Sequence, residues 1–174
     1  MCDATDHLSC SHGSTCPSLH QTLDEVDFER GLWSAALMGN DTRVAFLIKQ
    51  HPQRINDTDR YGYTALHYAA RNNRLRTCQI LLQSGADLYA RTRSDGATAA
   101  HRAAFSGCLG VLEELLKHGG EKLATFTDNE GRSCLHSAYR GRQDEVISWL
   151  ITNYPQLTTM PDRTGCLPQD LVPS

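Results

Sequence analysis

The chain has 174 residues, of which 40% are hydrophobic and only 7% aromatic, with a net charge of −3. That length suits one compact domain or one short repeat array with an aliphatic core, and no apolar run of about 18 residues is present to cross a membrane. The negative balance, and three lysines against fourteen arginines, argue against duplex nucleic acid as a partner.

Residues 1–27 form an acidic leader. The first 29 residues hold six acids and no Lys or Arg. Without a basic n-region or an apolar h-region after Met1, no secretory signal is expected. Seven cysteines, an odd number, then imply free thiols in a reducing compartment, cytoplasm or nucleus. The leader carries Cys2, His7, Cys10, His12, Cys16 and His20. Cys2, Cys10, His12 and Cys16 offer a Cys₃His set that suits zinc, and a metal would order a polar segment. The set lacks a Cys-x-x-Cys pair, so a mostly flexible leader without metal is the expectation, zinc binding is the alternative, and docking of the acidic leader on a basic face is a third. Leu19, Leu23 and Val26 fit a short amphipathic helix covering the first repeat.

From residue 28 the chain repeats itself. Tyr61-Gly62-Tyr63-Thr64-Ala65-Leu66-His67-Tyr68-Ala69-Ala70 recurs as Asp95-Gly96-Ala97-Thr98-Ala99-Ala100-His101-Arg102-Ala103-Ala104, and again as Glu130-Gly131-Arg132-Ser133-Cys134-Leu135-His136-Ser137-Ala138-Tyr139. Gly62, Gly96 and Gly131 mark turns with positive φ, and Thr64, Thr98 and Ser133 cap the helices after them. Paired alanines let neighbouring helices approach closely. Polar breaks come at Asn72-Asn73, Gly107 and Gly141, the last one place earlier than Gly107 predicts. A second helix then buries Leu75, Cys78, Leu81 and Leu82, or Leu109, Leu112, Leu115 and Leu116, and ends at Gly85 or Gly119. Each unit is turn, short helix, turn, longer helix, with too little core to stand alone. The division is 28–58, 59–92, 93–127, 128–161 and a short last unit, 162–174. In the first unit Val44, Leu47 and Ile48 take the second-helix core positions and Trp33 replaces the histidine.

These residues resemble the ankyrin-repeat family. Thr64-Ala65-Leu66-His67-Tyr68-Ala69 is similar to its T-P-L-H-x-A signature, and Leu81-Leu82-Gln83-Ser84-Gly85-Ala86-Asp87 to its Leu-Leu-x-x-Gly-Ala-Asp ending. Ala65, Ala99 and Cys134 stand where the family has proline, and Ala100 where it has leucine. The resemblance implies an all-α solenoid of helix-turn-helix units, with residues 28–58 and 162–174 as capping units. It also implies that His67, His101 and His136 order adjacent units by hydrogen bonding. The histidines stand one repeat apart along the stack, too far to share a metal.

The resemblance further implies a non-enzymatic, monomeric module that holds another protein on its concave face, built from hairpin tips and first helices. Carried over by position, that face has Arg60, Tyr61, Tyr63, Arg71 and Asn72 in the second unit, Phe105 in the third, and Arg132 and Arg140 in the fourth. Tyr, Phe and Arg are residue types enriched at interfaces, and Arg favours an acidic or phosphorylated segment. Residues 60–142 carry twelve bases against seven acids, which agrees in sign. No phosphate-binding or dinucleotide glycine motif occurs. Cys108 and Cys134 stand near His101 and His136 in sequence, but on packing positions where a thiol is inert. No cofactor is expected; the alternative reading is a zinc-binding module whose leader contributes to the partner site.

Overall fold

A computed structural model describes residues 31–171. These residues form eight α-helices and no strand. The helices are α1 (Leu32–Met38), α2 (Asp41–Gln50), α3 (Ala65–Arg71), α4 (Leu75–Gln83), α5 (Ala99–Phe105), α6 (Leu109–Ala124), α7 (Cys134–Gly141) and α8 (Asp144–Asn153). A short 3₁₀ turn at Pro52–Arg54 lies between α2 and α3, and two more, Pro155–Thr159 and Pro168–Leu171, follow α8.

The first helices α1, α3, α5 and α7 stack side by side in one layer, and the second helices pack behind them. Alanines make the first layer possible: Ala35, Ala36, Ala69, Ala70, Ala103, Ala104 and Ala138 are all buried. Leu81, Leu112, Leu115, Leu116, Leu123 and Leu150 supply the aliphatic bulk behind them. In α2 only Val44 is fully buried, while Leu47 and Ile48 are partly so.

Leu75 departs from its expected core role, being 39% exposed at the first position of α4. Thr77 is buried instead, and its hydroxyl donates to Asp41 Oδ1 at 2.6 Å, tying α4 to α2.

Two glycines differ from their expected roles. The second helix of the third unit does not end at Gly119. It breaks at Gly120 (φ 59, ψ −156), and a further turn runs on to Ala124. A Cβ on Gly119 would crowd Leu123 Cβ, so its missing side chain seats that extra turn. In the fourth unit Gly141 is not the turn residue. The left-handed position belongs to Arg142 (φ 54), in register with Asn73 (φ 55) and Gly107 (φ 73). Gly141 is helical, and a Cβ there would run into the Phe105 carbonyl oxygen. Glycine at that place serves close helix approach, and the arginine after it carries the strain.

Candidate functional site

Three buried histidines join the units. In each first helix the capping residue and the histidine three places on form a reciprocal capping box: Thr64–His67, Thr98–His101 and Ser133–His136. The backbone N–H of Thr64, Thr98 and Ser133 donates to the imidazole Nδ1 at 3.2, 3.2 and 3.1 Å. A backbone N–H can only donate, so Nδ1 is unprotonated and the ring proton sits on Nε2. Nε2 then donates into the next unit, to the carbonyls of Ala97 (3.1 Å), Arg132 (3.0 Å) and Cys166 (3.4 Å). Burial pushes His67 and His101 down to about 4, and lowers His136 as well. Neutral imidazole is thus the form the fold is built around, and both ring nitrogens are committed.

The hairpin tips are fixed by aspartates outside the signature motif. Asp59 Oδ1 accepts from the N–H groups of Tyr61 and Tyr63 at 2.9 and 2.8 Å. Asp128 Oδ1 does the same for Glu130 and Arg132, and Asp162 Oδ1 for Thr164 and Cys166. Their signal in the sequence is a recurring Asp three residues before the tip glycine, at Asp59, Asp128 and Asp162. At the tip of the third unit Thr92, the last residue of the second, takes this part, accepting from Ala97 N–H at 3.0 Å and donating to Asp95 Oδ1 at 2.6 Å. Successive tips bond to one another, Arg93 N–H to Tyr61 O, Asn129 N–H to Asp95 O and Arg163 N–H to Glu130 O. The tip glycines Gly62, Gly96 and Gly131 all have positive φ, between 67° and 84°.

The expected partner-facing residues divide into two groups. Arg60, Tyr61, Arg71, Phe105 and Arg140 are exposed, Tyr61 at 54% and Phe105 at 43%. The Arg60 guanidinium stacks over the Tyr61 ring at 4.7 Å. Arg71, Phe105 and Arg140 are each the seventh residue of their helix, one repeat apart.

The second group turns inward. Arg132 is only 9% exposed, with Nε on Asp128 Oδ2 at 2.9 Å and a terminal nitrogen on Glu130. It is a tie within its own hairpin rather than a contact residue. Its equivalents show why. Ala97 is 4% exposed, and Tyr63 is half-buried between His67, Tyr68 and the Arg102 guanidinium, the last 5.0 Å from its ring centroid. The residue before the helix cap therefore faces the stack in these three units. Asn72 is half-buried as well, its side chain donating to Tyr68 O at 2.8 Å.

Carboxylates beside this face are already engaged. Tyr68 donates to Asp59 Oδ2 at 2.6 Å, and Arg102 grips Asp95 at 2.9 and 3.0 Å. Burial raises the Asp95 carboxyl, but the Thr92 hydroxyl and Arg102 outweigh it and hold it below its usual range.

Cys78, Cys108 and Cys134 are buried, and burial pushes the Cys78 and Cys134 thiols up to about 12, far from thiolate chemistry at neutral pH. Among the described residues no group of three His, Cys, Asp or Glu side chains could hold a metal ion, and no helix is long and apolar enough to cross a membrane. Cys2, Cys10, His12 and Cys16 lie outside the described residues, as does the amphipathic stretch from Leu19 to Val26.

Stacked helix pairs joined by bonded hairpin tips define a class of repeat protein, and the similarity to known proteins agrees. The chain matches the family described as ankyrin repeats, three copies, over residues 7–92 and 89–160, and it belongs to that family. It is 52% identical over 87 residues to human ankyrin repeat domain-containing protein 39, covering 50% of this chain and 47% of that one. The Bos taurus protein of the same name is 55% identical over 67 residues, 38% of this chain and 36% of the relative. Human inhibitor of Bruton tyrosine kinase is 30% identical over 135 residues, 77% of this chain but 9% of that protein. The chain thus spans less than half the length of these three relatives.

Proposed function

We propose that this array is a non-enzymatic adaptor that holds a partner protein against the face made by its hairpin tips and first helices. The observation that carries the reading is the exposure of Tyr61, Arg71, Phe105 and Arg140 on that face while their unit neighbours are committed to packing. A rigid stack loses little entropy on binding, and Tyr, Phe and Arg give contact energy per residue that small polar tips do not. Arginine on this face favours an acidic or phosphorylated partner segment. The protein acts as a monomer in the cytoplasm or nucleus. Membership of a family whose arrays serve as protein-interaction modules supports the adaptor reading.

Proximity labelling in cells, comparing the wild type with a Tyr61→Ala/Arg71→Ala/Phe105→Ala variant, tests the reading. Loss of a defined partner set, with the variant folded by circular dichroism, is the expected result. Partners that persist unchanged would place binding elsewhere on the chain.

A further inference from the structure

Arg71, Phe105 and Arg140 occupy one structural position in three successive units. Each closes the second turn of a first helix, and each is exposed. Helices α3, α5 and α7 stack directly on one another, so the three side chains form a row of cation, ring, cation with steps of about 8–10 Å, the separation of packed helix axes. The guanidinium groups of Arg71 and Arg140 make no hydrogen bond or ion pair among the described residues. The carboxylates near this face are taken instead, Asp59 by Tyr68 and two backbone N–H groups, Asp95 by Arg102, and Asp128 by Arg132. Two uncommitted cations therefore flank an exposed ring.

A peptide in the polyproline II conformation has three residues per turn and advances about 3.1 Å per residue, so its positions i, i+3 and i+6 share one face at steps of about 9 Å, which match the row. Resting on the adaptor reading above, we propose that the row recognises an acidic peptide in the polyproline II conformation, of pattern acid-x-x-aromatic-x-x-acid. Its central aromatic side chain packs on Phe105, and its two carboxylates meet Arg71 and Arg140. The pattern reads the same in both directions, so the row accepts either chain polarity. Arg in place of Lys adds a planar fork that suits a carboxylate.

The test is selection of a random nonapeptide phage library on the full chain, with a parallel selection on an Arg71→Glu/Phe105→Ala/Arg140→Glu variant. Fluorescence anisotropy on resynthesised peptides then measures affinity. The expected result is enrichment of acids three residues either side of an aromatic, lost on the variant. Affinity should fall about two- to fivefold for each arginine removed singly, the range of exposed ion pairs. A peptide with lysines in place of both acids should regain binding to Arg71→Glu/Arg140→Glu. Enriched peptides of another spacing that still fail on the variant would overturn the pattern and leave the adaptor reading intact. Peptides that bind wild type and variant alike would overturn both, and a library with no enrichment would overturn the pattern.

Discussion

Acidification from pH 7.5 to 5 should remove about 4 kcal/mol of stability through two histidines alone. His67 and His101 sit at about 4 in the folded chain against 6.5 for an ordinary imidazole, because burial disfavours the cation and Nδ1 already accepts a backbone N–H. Between those values the unfolded chain binds a proton that the folded chain excludes, so stability is full above pH 6.5 and falls as the pH drops towards 4. At pH 5 the difference amounts to about 2 kcal/mol for each group. His136 is shifted in the same direction and adds to the loss. Asp95 also contributes with a sign that favours higher pH, but its depressed carboxyl matters only near and below its ordinary value of 3.8. A loss of about 4 kcal/mol is large against the roughly 5–15 kcal/mol of a typical domain. Urea denaturation should show the midpoint falling by about 2 M if the slope is about 2 kcal/mol per M. A His101→Ala variant should be weaker at pH 7.5 yet lose only about 2 kcal/mol on acidification. A wild type indifferent to pH across this range, or a variant as pH-sensitive as the wild type, would refute the assignment of neutral, doubly bonded rings.

Other substitutions probe the stack itself. Leu81→Ala and Leu115→Ala each remove a fully buried side chain and should cost about 2–5 kcal/mol by chemical denaturation. Arg142→Gly relieves a left-handed non-glycine residue and should raise stability by about 0.5–1 kcal/mol, read as a higher melting temperature. Gly141→Ala drives a methyl against the Phe105 carbonyl and should cost about 1–3 kcal/mol, with faster amide exchange in α7. Arg132→Ala strips buried Asp128 of its cation and should destabilise by about 3–5 kcal/mol, whereas exposed Arg140→Ala should change stability by under about 0.5 kcal/mol.

The repeat is legible in the sequence because its chemistry recurs with the chain period. Thr64, Thr98 and Ser133 offer the same hydroxyl, His67, His101 and His136 the same ring, and local sequence is enough to close each capping box. What the sequence conceals depends on neighbours across the stack. In the fourth unit the sequence shows the glycine one place earlier than the third unit predicts, but not that the glycine and the left-handed turn answer separate demands. Gly141 exists because the Phe105 carbonyl comes close, a constraint set by residue 105, and Arg142 then takes the φ that the turn requires. Arg132 likewise resembles any surface arginine when only the sequence is seen. The hairpin's own curl, with Asp128 Oδ1 gathering two backbone N–H groups, brings Asp128 Oδ2 under the guanidinium and buries the pair. The same logic separates site from scaffold along this face. Residues before the helix cap are directed into the stack by the bonded tips, and the seventh residue of each first helix lies beyond the reach of those tips. Identity at the first position is therefore constrained by packing, and at the second it is free to be chosen by a partner, which is why Tyr63, Ala97 and Arg132 belong to the fold and Arg71, Phe105 and Arg140 are the residues we assign to recognition.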